Sequence, residues 1–309
     1  MAHISSFISK YGILGFMLTR QKILLSIIQD ARSPLTRILL FKYAFLLSKE
    51  WDLPQGMAFY DFVPFKYGPY SFALARELQI LEQYGYINRD GDFLRLCPGM
   101  EDATRDIVRQ MPPDLRYQTS SLVNKYRTSS QVQVLRQVYH SYPSFTFRSE
   151  LRELVPSAAI EPATAPLKIY TLGYEGRSVD AFFNLIVQRG LKGIIDVRAN
   201  PISRKYGFAK KTLSTIADKL KIGYFHISGL GIPSDERRGL GTSLSHAKLF
   251  DDYENRVLPS RRANKKEAID VISAQPSVLV CMEEDAGFCH RGRLAKCLAM
   301  ESGFAIQHL

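Results

Sequence analysis

The spacing of apolar residues changes character near residue 160, and that change limits the folds open to the chain. Beyond it lie four short apolar runs: KIYTLGY (168–174), GIIDVR (193–198), YFHIS (224–228) and SVLVCM (277–282). Ile194, Ile195 and Val197, and likewise Val278, Leu279 and Val280, are grouped rather than alternating with polar residues. Strands covered on both faces of a parallel sheet have this pattern. Helical stretches separate the runs, at 178–189 with Gly190 as stop, 210–220, 264–273, and 289–301 with Gly303 as stop. The alternation predicts an α/β domain over residues 168–309, Rossmann-like, mostly parallel and three-layered.

Ahead of the change the chain reads as helical over residues 1–155. Ser33-Pro34 is a helix start, and Leu35, Ile38, Leu39, Phe41, Phe45 and Leu46 follow at helical spacing. A second helix at 71–84 puts Leu74, Leu78 and Leu81 on one stripe, and YINRDGDFLRL (86–96) then gives two short strands around an Asp-Gly turn. Helices followed by a hairpin outline a winged helix. A DNA-reading helix presents basic and amide side chains, whereas this one presents Arg76, Glu77, Gln79, Glu82 and Gln83. Its carboxylates favour contact with protein over insertion into DNA. Between the two domains, PSAAIEPATAPL (156–167) is rich in Pro and Ala, follows no period, and reads as a linker.

Composition bounds the partners. Lysine and arginine number 41 against 30 acidic residues, a net charge of +11. The excess is spread along the chain: 19 basic and 14 acidic residues up to 160, 22 and 16 after it. Such a surface favours nucleic acid, nucleotides or other polyanions. Four scattered cysteines, Cys97, Cys281, Cys289 and Cys297, make no disulfide framework and suit a reducing cytoplasm. The apolar stretch 12–18 is only seven residues long, without the flanks of a signal peptide, and no run approaches a membrane span.

In a doubly wound sheet the ligand sits beyond the carboxyl ends of the strands. That rule selects Tyr174 and Glu175 after the first run, and Asp196 and Arg198 with the loop residues Ser203, Arg204 and Lys205 after the second. It also selects Glu283 after the last run, leading to Cys289, His290 and Arg291. Zinc would find the right number of atoms in Cys281, Cys289, His290 and Cys297. However, Cys289 and Cys297 read as one helix, about 12 Å apart in rise, and helical neighbours point about 100° apart. No metal and no cofactor is therefore expected. Two roles remain open for Cys289: a nucleophile at a helix N-terminus beside His290 and Arg291, or a small packed residue beneath an anion held by the helix amides with Arg198, Arg204 and Arg291. Cys281 reads as core. Asp196 and Glu283 are candidate proton carriers, and for Asp196 a salt bridge fixing Arg198 or Arg291 is an equal alternative.

Further basic residues cluster at Arg204-Lys205 with Lys210-Lys211, Arg237-Arg238, Arg261-Arg262 and Lys265-Lys266. Tyr206 and Phe208 interleave with the first cluster, either as stacking platforms for bases or as core aromatics beside a solvated face.

The second domain resembles an uncharacterised bacterial and archaeal family, domain of unknown function number 488. The resemblance lies in YTLGYEG (170–176), IDVR (195–198), Pro201, Ser203-Arg204-Lys205, Gly207-Phe208, Gly223-Tyr224, Leu230-Gly231, Cys281-Met-Glu283, Cys289-His290-Arg291 and Gln307-His308-Leu309. It implies an active site at Tyr174, Glu175, Asp196, Arg198, Ser203, Arg204, Glu283, Cys289, His290 and Arg291, with no settled reaction. The first domain, over roughly 34–150, resembles the Panacea-like antitoxin-associated and defence-associated domains, through FVPFKYGPYS (62–71) and LQILEQYGYI (78–87). The pairing suits a bacterial defence or nucleic-acid-processing system. The residues and resemblances point to a hydrolase or group transferase acting on a nucleotide or nucleic acid, the alternative being a non-catalytic adaptor that binds nucleic acid or protein.

Overall fold

The computed structural model describes residues 17–31, 35–233 and 243–309, and the chain divides into two compact units at Glu161 and Pro162. Ser33-Pro34, Arg237-Arg238 and residues 12–16 lie outside the described residues.

In the first unit, helix α1 (Thr19–Asp30) buries Ile23, Leu24, Leu25, Ile27 and Ile28. Strand β1 (Leu35–Thr36) follows, and then α2 (Arg37–Glu50), capped by Thr36, whose Oγ1 accepts from the Leu39 amide. Leu35, expected in the helix, is drawn into strand pairing opposite Leu94 instead. A small hairpin, β2 (Val63–Phe65) and β3 (Gly68–Tyr70), leads to α3 (Phe72–Gln83). Gly68 at the bend has φ +80°, a left-handed conformation that suits glycine. Ser71 caps α3 by accepting from the Leu74 amide.

Strands β4 (Ile87–Asp90) and β5 (Phe93–Leu96) form the expected hairpin, and β1 adds to its β5 edge. Helix, strand, two helices and a hairpin make the winged-helix outline, completed by α4 (Glu101–Arg109), α5 (Pro113–Lys125) and α6 (Gln131–Ser141). One expectation about α3 needs correcting. Glu77 is 6% exposed and points inward, accepting from the Tyr60 hydroxyl at 2.5 Å and from Arg20 Nε at 2.8 Å. Burial and this carboxylate push the Tyr60 phenol well above its ordinary pKa. The outward face of α3 therefore carries one carboxylate fewer than its sequence suggests.

The second unit is built on a five-stranded sheet, wholly parallel, in the order β10-β6-β9-β7-β8. Its strands are β6 (Ile169–Gly173), β7 (Gly193–Asp196), β8 (Gly223–His226), β9 (Ser277–Cys281) and β10 (Ile306–His308). Helices α7 (Val179–Gln188) and α8 (Lys210–Lys219) follow β6 and β7; α9 (Ser243–Asp252), a π-helical stretch (Tyr253–Val257), α10 (Leu258–Ser260) and α11 (Arg262–Ala274) lie between β8 and β9. Helix α12 (His290–Ser302) follows β9 and ends on Gly303 at φ +76°. Ile194, Ile195, Val278, Leu279 and Val280 are all 0% exposed, each contributing about 2 kcal/mol by removal from water. The grouped apolar runs are thus two of the three inner strands, β7 and β9, buried along their whole length. No helix among the described residues is long and apolar enough to cross a membrane.

Candidate functional site

The neighbouring strands β6, β9 and β7 end together, at Gly173, Cys281 and Asp196, and the residues just beyond them make two linked clusters. Gly173 allows a close approach: a Cβ there would lie 1.8 Å from the Glu283 carbonyl, so the loop after β9 can lie directly on the end of β6. Amides of Tyr174 and Glu175 donate to the Cys281 and Met282 carbonyls, and the Glu175 carboxylate accepts from the Glu284 amide at 3.2 Å. Arg291, 1% exposed, ties down the same loop, its Nη1 donating to the Glu283 carbonyl and its Nη2 to the Glu284 carbonyl. Its guanidinium fork is spent on the main chain, apart from a buried Nε without a partner among the described residues. Arg291 therefore shapes the site, where an anion-binding fork was expected.

The first cluster surrounds Glu283, which is half-buried. Its Oε2 accepts from Cys289 Sγ at 2.9 Å and from Cys281 Sγ at 3.2 Å. Burial opposes ionisation, yet the hydrogen bonds from Cys289, from its own backbone and from Cys281, with the attraction of His290, hold the Glu283 carboxyl below its ordinary pKa. His290 Nε2 donates to the Val197 carbonyl at 3.2 Å, which directs Nδ1 to the two sulfurs, 3.6 Å from Cys281 and 3.9 Å from Cys289. Tyr253 packs edge-on against this imidazole.

The expectation that Cys289 lies within the helix, pointing about 100° away from His290, needs correcting. Cys289 is the N-cap of α12 with φ −135° and ψ 140°, an extended residue, so its thiol and the His290 ring turn to the same side. Cys281, Cys289 and His290 bring their ligand atoms within 4.8 Å of one another. Cys281, read as core, is buried but belongs to this cluster; its position as the last residue of β9 was the available signal. Cys297 does stand apart, beside Lys265 and Glu301.

Burial, with the neighbouring Cys281, pushes the Cys289 thiol well above its ordinary pKa, and the side chain is only 1% exposed. An activated nucleophile needs the opposite environment. In the folded protein Cys281 and Cys289 should therefore resist alkylation at neutral pH while the half-buried Cys97 and Cys297 react, as read by mass spectrometry of the digested chain. Fast labelling of Cys289 would contradict this.

The second cluster surrounds Asp196, 0% exposed. Arg198 Nε and Nη2 donate to its two oxygens at 2.8 and 2.6 Å, and the Tyr224 hydroxyl donates to Oδ2 at 2.7 Å. The remaining Arg198 Nη1 donates to the Phe208 carbonyl at 2.8 Å and to the Tyr174 hydroxyl at 3.2 Å. Burial disfavours the guanidinium charge, but Asp196 more than restores it and raises the Arg198 pKa above its ordinary value. Of the two roles open for Asp196, the observed geometry is the salt bridge that fixes the arginine fork. Tyr224 and His226 were not among the expected site residues, and Lys210 was expected only as part of a basic cluster. Lys210 Nζ donates to His226 Nδ1, and His226 Nε2 to the Arg198 carbonyl, both at 2.9 Å. The two clusters thus meet on Val197 and Arg198, which receive His290 from one side and His226 from the other.

The cationic loop follows. Ser203 serves its turn, accepting from the Lys205 amide at 3.1 Å, and Lys205 Nζ donates to the Tyr174 carbonyl at 3.1 Å. Arg204, Lys210 and Lys211 are exposed. Phe208 is 0% exposed and stacks on Tyr174 with centroids 4.2 Å apart, so it is core and not a platform for bases. Lys265 is likewise lost to the surface, being buried against Glu301.

Residues 178–298 match the model of the family described as "Domain of unknown function DUF488". The matched stretch lies within the second unit, which is similar to that family. The match takes in α7 through most of α12, and with them Asp196, Arg198, Glu283, Cys289, His290 and Arg291. Tyr174 and Glu175 lie just before it. No curated protein and no solved structure matches the chain.

Proposed function

We propose that the second unit is a hydrolase or group transferase acting on a phosphate-bearing substrate, a nucleotide or nucleic acid, at the carboxyl edge of its sheet. One observation carries the reading: a carboxylate, Glu283, stands beside His290 at the strand ends, on the edge from which the cationic loop bearing Arg204, Lys205, Lys210 and Lys211 leaves β7. Parallel α/β sheets take their ligands at this edge. The net charge of +11 adds a long-range attraction for polyanions.

In this reading the loop cations hold the phosphate and Glu283 accepts a proton from the attacking water or hydroxyl. That oxygen bonds to phosphorus, and the leaving oxygen departs with its electron pair and takes a proton from solvent. Asp196, Arg198 and Tyr174 act as positioning residues, since their polar atoms are spent on one another. Glu283→Gln keeps the shape and removes the base, so turnover of a nucleoside triphosphate or a short labelled oligonucleotide should fall by about 100-fold or more. Unchanged turnover in a folded Glu283→Gln protein would sink the reading. A Panacea-like first domain beside such an enzyme would fit a defence or nucleic-acid-processing system.

A further inference from the structure

The geometry points to a zinc site formed by Cys281, Cys289 and His290, with Glu283 beside the fourth coordination position. Zinc bound at about 2.3 Å to sulfur and about 2.0 Å to nitrogen, at tetrahedral angles, sets sulfur–nitrogen edges of about 3.5 Å. The two edges here are 3.6 and 3.9 Å, and the three donor atoms lie within 4.8 Å of one another. Both sulfur–nitrogen edges thus lie within about 0.4 Å of the zinc value, and rotation of the two cysteine side chains sets the sulfur–sulfur edge. Two sulfurs and an imidazole nitrogen are a soft to borderline set that suits zinc in preference to magnesium or calcium.

The surroundings match those of a metal-binding histidine. His290 donates through Nε2 to a backbone carbonyl, that of Val197, which fixes the tautomer with its Nδ1 lone pair toward the sulfurs. Two secondary-structure junctions hold the donors: Cys281 ends an inner strand, and at the start of α12 Cys289 is the cap and His290 the first residue. The loop joining them is secured by Arg291 on two carbonyls, and by Gly292, where a Cβ would lie 2.1 Å from the Ala286 carbonyl. On binding, each thiol gives its proton to solvent as its sulfur coordinates the ion. Glu283, now released by both thiols, borders the remaining position, where a bound water would find it as a proton acceptor. Binding of the ion does not depend on the substrate being a phosphate.

The test is metal analysis of the full chain. Protein produced in zinc-supplemented medium and desalted should carry about one zinc per chain. Cys289→Ser and His290→Gln should lose it, while Glu283→Gln should retain it. Addition of cobalt(II) to the chelator-stripped wild-type protein should give a near-ultraviolet thiolate-to-cobalt band with the strong visible bands of tetrahedral geometry, a readout that needs no variant to fold. No zinc above the chelated background together with no thiolate band would overturn the inference, as would full zinc content in a folded Cys289→Ser, His290→Gln double variant. Zinc bound without any turnover of phosphate esters would instead remove the proposed substrate and leave the metal site standing.

Discussion

Replacing Asp196 with asparagine should destabilise the second unit by about 3–5 kcal/mol, the cost of leaving a buried charge without its partner. The carboxylate is 0% exposed and accepts both arms of Arg198, the Arg198 amide at 3.2 Å and the Tyr224 hydroxyl. An asparagine of the same shape offers one oxygen in place of two and turns an amide N–H toward a guanidinium. Arg198 cannot escape by losing its proton, because arginine stays charged in proteins. Tyr224→Phe removes a single hydrogen bond from the same group and should cost only about 1 kcal/mol. Urea midpoints of the full chain and both variants measure the contrast. Equal midpoints for wild type and Asp196→Asn would show that the fork contributes nothing. The same experiment guards the kinetics, since lost activity in Asp196→Asn would reflect a collapsed support as readily as a missing base.

The second large effect belongs to the first unit and has the opposite sign. Lys42 is 1% exposed, donates to the Pro69 carbonyl at 2.9 Å, and has its pKa lowered to about 7 by burial. In the unfolded chain a lysine titrates near about 10.4. Between pH 7 and that value the unfolded state holds the extra proton, so stability should rise with pH, by at most about 1.4 kcal/mol per unit. The penalty is fully present below pH 7. Lys42 borders a cavity of about 300 Å3 shared with Arg37, Phe41, Phe65 and Tyr70. Lys42→Met should abolish this part of the slope and stabilise the protein near pH 7 by about 2 kcal/mol, the gain being reduced by the donor lost to Pro69. Denaturation midpoints from pH 6.5 to 9.5 for the two proteins give the difference directly, and parallel profiles would contradict the assignment.

These two residues also mark where sequence reading stops. Grouped apolar residues identified β7 and β9 because burial on both faces leaves no room for polar alternation. Glycines stopped α7 and α12 where expected, through their left-handed φ. Strand β10 has three residues on one edge, two of them polar, and carries no such pattern. At the site, the rule of strand ends selected Glu283, Asp196 and Tyr174 correctly as neighbours of the sheet edge. It could not tell which charges satisfy one another: anion-binding arginines and a bridge from Asp196 to Arg198 or Arg291 stood as alternatives, and the fold spends Arg198 on Asp196 and Arg291 on two carbonyls. The convergence of Cys289 and His290 depended on one residue's backbone: extended at the cap, Cys289 faces Cys281, whereas one more helical residue would have turned it away.

Hydrogen exchange of the full chain with and without a short single-stranded oligonucleotide tests the location of the chemistry most directly. Slower exchange is expected in peptides covering 174–178, 203–211 and 282–292, with residues 1–161 unchanged. Protection confined to residues 1–161 would contradict it and favour an adaptor that binds through its winged-helix unit.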